Sequence, residues 1–252
     1  MLKYFYLTLI ALMLIVTIFF LYQNYKFSQI KNRFEPGTGL EVWAHRGIAS
    51  DTLKQNSIDA FLNASNMGFK GVEIDVFYSD KIDMFIVSHD ALTEGKYYTL
   101  EKIFDELRNC KLGYWIDFKN SVFLGGNDAV TEKSISRLKF LRDKYKLTRL
   151  YVETKSIVYA DDLHRNGVKS VYCITSDTES FFDLFHEMSL LSIYKFDALT
   201  LDYEKISKNF TSKMRGIPIF TYTINDKNDF IKLSEFKNIQ VLLSDDPDAV
   251  KW

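Results

Sequence analysis

The hydrophobic pattern divides the chain into two unequal parts. Tyr4 to Tyr22 reads YFYLTLIALMLIVTIFFLY, 19 residues without a charge and with only Thr8 and Thr17 to interrupt the apolar run. As a helix it would measure roughly 28 Å at ~1.5 Å per residue, close to the ~30 Å hydrocarbon core of a bilayer. A helix packed on a soluble core would show a polar face, and this one shows none. A cleaved signal peptide would have a shorter apolar core ending in small residues, whereas Gln23-Asn24-Tyr25-Lys26 follows here. The segment is therefore read as a single N-terminal transmembrane anchor over residues 1–22. A tether over 23–39 follows, closing on Pro36-Gly37-Thr38-Gly39.

From Leu40 onward the pattern changes to short apolar runs alternating with amphipathic stretches. The runs predict strands at Glu41–Ala44, Gly71–Phe77, Tyr114–Phe118, Arg149–Val152, Lys169–Ile174, Asp197–Leu201, Ile217–Tyr222 and Ile239–Leu243. Helical spacing predicts helices at Ser57–Met67, Leu100–Arg108, Ala129–Tyr145, Ser156–Arg165, Glu179–Leu190, Tyr203–Lys213 and Lys227–Phe236, with Gly68 as a stop and Thr99 as a cap. Strand-helix alternation argues for βαβ units and a parallel sheet. Eight such strands over residues 40–252 fit an α/β fold of the (β/α)8 TIM-barrel type. An open doubly wound sheet is the alternative, but no G-x-G-x-x-G follows the first strand.

Composition narrows the function. A net charge of −1 gives no basic footprint, so no nucleic-acid partner is expected. Two cysteines, Cys110 and Cys173, exclude a disulfide scaffold and a zinc ribbon, and are expected to be buried free thiols.

The polar residues at strand ends carry the chemistry, because barrel sites gather at the C-terminal ends of the strands. The first strand runs out into His45-Arg46-Gly47, the second contains Glu73 and Asp75, and the third ends Asp117-Phe118-Lys119. Residues at i and i+2 share a strand face, so Glu73 with Asp75, and Asp117 with Lys119, point to the barrel axis while Val72, Ile74, Val76, Ile116 and Phe118 face the helices. Carboxylates in such a place must be paired or bind a cation. Their oxygens suit a hard divalent cation, Mg²⁺ or Ca²⁺. The extended run Asp83–Asp90 is expected to fold back over the mouth and bring His89 toward His45. Two imidazoles beside a cation, with Arg46 and Lys119 near, suit phosphodiester chemistry. His164 and His186 fall in outer helices and are expected to be surface or packing residues.

These residues also carry a family resemblance. AHRG (Ala44–Gly47), QNSIDAF (Gln55–Phe61), EIDV (Glu73–Val76), VSHD (Val87–Asp90), WIDFK (Trp115–Lys119), TYTIN (Thr221–Asn225) and LLSDDPD (Leu242–Asp248) together resemble, in order, the motifs of the glycerophosphodiester phosphodiesterase family. The resemblance covers about residues 40–252 and implies a metal-dependent phosphodiesterase on a TIM barrel. It implies His45 and His89 as the acid–base pair, Glu73, Asp75 and Asp117 as ligands of the divalent cation, and Arg46 and Lys119 as phosphate contacts. It also implies attack on phosphorus by a neighbouring hydroxyl of the substrate. Gln55 stands where the family has Glu and is the weakest of the implied metal ligands; Asp117 stands where Glu is usual, and Tyr222 where Trp is usual.

The substrate implied is a glycerophosphodiester, either a deacylated phospholipid or a glycerol-phosphate-containing polymer. Two alternatives stay open at this point: a phospholipase C-like or cyclising phospholipase on intact lipids, and a catalytically degenerate barrel serving as a binding module. Lys3 before the span and Lys26, Lys31 and Arg33 after it leave the side of the membrane open; the resemblance tilts it toward an extracytoplasmic body. The oligomeric state is not legible.

Overall fold

The computed structural model describes residues 2–31, 34, 39–90, 97–126 and 128–252. Eight parallel strands form a closed ring: β1 (Glu41–Ala44), β2 (Gly71–Ser79), β4 (Gly113–Phe118), β5 (Leu150–Thr154), β6 (Lys169–Cys173), β7 (Ala198–Asp202), β8 (Ile219–Tyr222) and β9 (Ile239–Ser244). β1 closes the ring by pairing with both β9 and β2. The run expected to fold back does so as β3 (Met84–Val87), antiparallel to β2. The helices are α2 (Ile58–Met67), α3 (Leu100–Glu106), α4 (Ala129–Tyr145), α5 (Ile157–Arg165), α6 (Phe181–Ile193), α7 (Lys208–Lys213) and α8 (Lys227–Ser234).

Alternation along each strand separates two cores. Outward residues such as Val72, Ile74, Ile116 and Val152 pack under the helices, while Trp43, Trp115, Val171, Ala198, Phe220, Val241 and Leu243 fill the barrel. The floor of the barrel is set by Trp43. A Cβ at Gly71 would lie 2.3 Å from its ring and one at Gly113 2.4 Å away, so both strands must begin with glycine for the indole to fit.

Local signals end the elements as expected. Ser57 Oγ accepts from Ala60 N at the start of α2, Gly68 ends that helix at φ 94°, and Thr99 Oγ1 accepts from Lys102 N at the start of α3. Other boundaries shift for local reasons. β5 runs two residues beyond the expected Val152, because Glu153 and Thr154 keep the extended backbone after the apolar run stops. β8 starts only after Pro218. The expected helix Tyr203–Lys213 is a 3-10 turn and a short α7, divided where Ser207 caps the second piece.

The N-terminal helix α1 (Leu2–Lys31) is one element of 30 residues, and its Tyr4–Ile30 portion is long and apolar enough to serve as a membrane anchor or a signal sequence. It continues through residues 23–31, where the sequence led to the expectation of a tether. The reason is packing: Phe27 and Ile30, one helical turn apart, are buried in the cluster that includes Leu191 and Phe196. Phe34 continues this contact against Phe196, with ring centroids 5.5 Å apart. Residues 32–33 and 35–38 of the expected tether, Arg33 and Pro36-Gly37-Thr38 among them, lie outside the described residues.

Candidate active site

The site is built on the C-terminal ends of β1, β2, β4, β5 and β9. Register places Asp75 level with Asp117, and Asp117 level with Glu153. Glu73 lies one inward position below Asp75 and level with Trp115. Glu73, Asp75 and Glu153 are buried. One oxygen from each of Glu73, Asp75 and Asp117 falls within a group whose members lie within 4.8 Å of one another.

Asp75 is the centre of this group. Its Oδ2 takes Arg46 Nε at 2.9 Å, and its Oδ1 takes Lys119 Nζ at 2.7 Å. Asn56 grips the same residue twice, donating Nδ2–H to Asp75 Oδ2 (2.7 Å) and accepting the Asp75 backbone N–H (3.1 Å). Lys119 also reaches Asp117 Oδ2 at 2.5 Å. Burial works against the ammonium of Lys119, but the charges of Asp117 and Asp75 outweigh it and hold its pKa above the usual value.

Glu73 is less well compensated. Its Oε2 is buried without a hydrogen bond, and its nearest basic atom is His45 Nε2 at 3.4 Å. Burial raises its pKa well above the ordinary carboxylate value, and the charges of Asp75, Asp117 and Glu153 raise it further. Asp117 is raised for the same leading reason, burial, partly offset by Lys119. Glu153, which accepts the indole N–H of Trp115 at 2.7 Å, is pushed up to about 8 by burial and then by the charge of Asp117.

Crowded carboxylates, with the pKa values of Glu73 and Asp117 raised and with Glu73 Oε2 and Asp75 Oδ1 both buried without a hydrogen bond, form a donor set that fits a hard divalent cation. Two monovalent side chains, Arg46 and Lys119, face at least three carboxylates. A cation accepted by Glu73, Asp75 and Asp117 would supply the missing positive charge and a partner for Glu73 Oε2.

The two histidines are held differently. His45 leaves β1 on a backbone bond from its N–H to Ser244 O (2.9 Å), and its Nδ1 lies 2.8 Å from Asp245 Oδ1. An Asp245 carboxylate there holds the proton on Nδ1 and leaves Nε2, which faces Glu73, as the basic nitrogen. Besides His45, two residues hold Asp245. Asn225 accepts its backbone N–H (2.8 Å) and donates to its Oδ2 (3.1 Å), and Gln55 donates Nε2–H to its Oδ1 (3.2 Å). Burial pushes the Asp245 carboxyl up, but the hydrogen bonds from His45 and Asn225 outweigh it and hold the carboxyl below its usual value.

His89 reaches the mouth by topology. One edge of β2 pairs with β4; the other pairs with β1 low down, at Val72, and with β3 higher up, from Val76 to Ser79. β3 therefore descends toward the end of β1, and its exit is fixed where Ser88 N–H donates to Asp75 O at 3.0 Å. His89 follows, its side chain 46% exposed and its Nδ1 2.8 Å from Asp90 Oδ1.

The structure thus brings His45, Arg46, Glu73, Asp75, Asp117 and Lys119 into one contact network, with His89 on the adjoining rim. Gln55 is not turned into the carboxylate group; it hydrogen-bonds Asp245. Tyr222 lines the barrel interior, its hydroxyl 3.7 Å from Cys173 Sγ. Cys173 is buried, and Cys110 is only half-buried, against the expectation of burial for both. His164 pairs with Asp197 on the outer surface.

Sequence reasoning gave no role to Asn56, Glu153, Asn225 or Asp245. The inward parity of β5, with Tyr151 and Glu153 spaced like Trp115 and Asp117, was the available signal for Glu153. Asp245 and Asn225 lie in the LLSDDPD and TYTIN segments, but His45, the partner of Asp245, is 200 positions away from it.

No protein-family model matches the chain, and no curated protein matches its sequence. Solved structures do match in fold. A glycerophosphodiester phosphodiesterase from Parabacteroides distasonis superposes with TM-score 0.64 at 17% identity, covering 86% of this chain and 97% of that one. An Oleispira antarctica phosphodiesterase, solved with its product sn-glycerol-3-phosphate, gives TM-score 0.62 at 18% identity over 84% of this chain and 95% of that one. A glycerophosphodiester phosphodiesterase from Agrobacterium tumefaciens gives 0.58 at 13% identity over 84% and 98%. The barrel of this chain is thus the fold on which those enzymes are built.

Proposed function

We propose that this chain is a divalent-cation-dependent phosphodiesterase of the glycerophosphodiester phosphodiesterase type, held at a membrane by α1. The carrying observation is the convergence, on one barrel mouth, of an Asp245-oriented His45, an under-compensated carboxylate group and two cations. The fold match to phosphodiesterases, one of them holding sn-glycerol-3-phosphate, supports the substrate class.

Glu73, Asp75 and Asp117 would hold the cation. When bound, it would neutralise phosphate oxygens and favour charge build-up on phosphorus-bound oxygen. Arg46 and Lys119 would share that task, releasing part of their hold on Asp75 to meet the phosphate. His45, with Nδ1 occupied by Asp245, presents Nε2 for proton transfer, and His89 supplies the second imidazole at the rim. One takes the proton of the attacking substrate hydroxyl and the other delivers a proton to the departing alcohol; the cyclic phosphate so formed is then opened by water, with the proton-transfer roles exchanged, to give glycerol phosphate.

Phosphorus NMR of glycerophosphocholine incubated with the full-length protein tests this reading. Glycerol phosphate should appear with Mg²⁺ or Ca²⁺ present, stop on adding EDTA, and return when the cation is restored. No turnover under any of these conditions would overturn it.

A further inference from the structure

The direction of α1 relative to the barrel follows from its contacts with α6. Phe20 packs on Phe185 with ring centroids 4.5 Å apart, and on Phe181 at 6.3 Å, both in the opening turns of α6. Three residues later Gln23 meets Ser192, near the end of α6. Phe34 then reaches Phe196, just before β7 begins. The two helices therefore run in the same direction. α6 starts at the C-terminal end of β6, which is the level of the site, and descends to the N-terminal end of β7. The part of α1 before Phe19 must then project beyond the rim that carries the chemistry. That part is Tyr4–Ile18, roughly 22 Å long at ~1.5 Å per residue, and it is exposed throughout.

A second observation lies on the same arc of the rim. Phe181 and Phe182 are 65% and 79% exposed at the start of α6, and Phe123, in the turn that follows β4, is 88% exposed. Large aromatic side chains bared after β4 and after β6, on the rim from which an apolar helix protrudes, mark a surface meant for something other than water. A bilayer around Tyr4–Tyr22 would place Phe19 and Phe20 near its boundary, and they touch α6 at that level.

We propose that the membrane abuts the C-terminal rim of the barrel on the β4–β6 side, with Phe123, Phe181 and Phe182 seated in its interface. The site would then take phosphodiesters presented at the bilayer surface in preference to those in bulk solution. This rests on reading α1 as a membrane span, and its substrate clause rests on the phosphodiesterase reading.

Lipid-depth quenching tests the docking without any turnover. Full-length protein with Cys110→Ser is reconstituted in phosphatidylcholine vesicles, carrying a fluorophore on Phe123→Cys, Phe182→Cys or, at the opposite end of the barrel, Lys237→Cys. Spin-labelled phosphatidylcholine should quench the probes at 123 and 182 several-fold more than the probe at 237. Equal quenching at all three, or quenching at 237 alone, would overturn the docking.

The preference for bilayer-borne substrate, the supply clause of the proposal, is read from turnover. Phe181→Ser with Phe182→Ser should lower hydrolysis of vesicle-borne lysophosphatidylcholine about tenfold, with hydrolysis of dissolved glycerophosphocholine unchanged within twofold. Equal loss on both substrates, or no loss on the vesicle substrate, would overturn that clause. If the unsubstituted protein hydrolyses neither, the phosphodiesterase reading and the supply clause fall together, and the quenching result alone decides the docking.

Discussion

The two arcs of the barrel share one architecture and differ in what points inward. On β6 to β8 the interior holds Val171, Cys173, Ala198, Thr200, Phe220 and Tyr222, a largely apolar filling whose polar atoms are two hydroxyls and a thiol and which holds no charge. On β2, β4 and β5 the same inward positions near the mouth hold Glu73, Asp75, Asp117 and Glu153, answered by Arg46 and Lys119 from the segments after β1 and β4. The strand geometry is indifferent to this choice. What distinguishes the acidic arc is the cost of burying charge, met by short ion pairs at Asp75 and less well met at Glu73. A residue left in that condition marks where a ligand is expected, whereas the apolar arc marks where the barrel is simply filled.

Substitutions sharpen the contrast. The largest effect is expected at His45: His45→Ala should cut glycerophosphocholine hydrolysis by about 10²–10⁴-fold, with far-ultraviolet circular dichroism unchanged. A fully active variant would dissolve the distinction between the arcs. Glu73→Gln should weaken Mg²⁺ or Ca²⁺ binding by about 10–100-fold in calorimetric titration, and the cation-free variant should melt higher than the parent near neutral pH, because burial raises the Glu73 pKa and so makes that carboxyl destabilising above its unfolded value.

Asp245→Asn should lower turnover by on the order of 10²-fold by releasing the His45 tautomer. It also has a pH signature. The native Asp245 carboxyl sits below its unfolded value, so its stabilisation is present above about pH 4 and is lost as pH falls through the native value. The melting temperatures of parent and variant should therefore differ near neutrality and converge in acid. The smallest effect is expected on the apolar arc. Thr200 Oγ1 is buried without a hydrogen bond, so Thr200→Val should change stability by less than about 1 kcal/mol and turnover by less than twofold.

Much of this was legible in the sequence, for identifiable reasons. Strand periodicity of two placed Glu73, Asp75, Asp117 and Lys119 on the inner face, because a one-residue error would have put Ile74 there instead. The closing His-Asp of the returning run was legible because β3 ends where its polar residues begin. Asn56 was not, since its role depends on a left-handed backbone at φ 56° that aims the amide at Asp75. Asp245 was not, since its meaning comes from ring closure, which sets the last strand beside the first. The helical continuation through residues 23–31 was hidden by Gln23-Asn24, polar residues that resemble an end until Phe27 and Ile30 are seen to dock.

The joint between β1 and β2 has one paired register position, Ala44 with Val72. Above it the gap is stitched by side chains: Arg46 and Asn56, both from the segment after β1, fasten to Asp75 on β2. Asp75 is thus a hinge pin as well as a member of the acidic group. Anything that draws Arg46 away toward a phosphate loosens the seam of the ring at that moment, and the two hydrogen bonds of Asn56 are the stitches left to keep it shut.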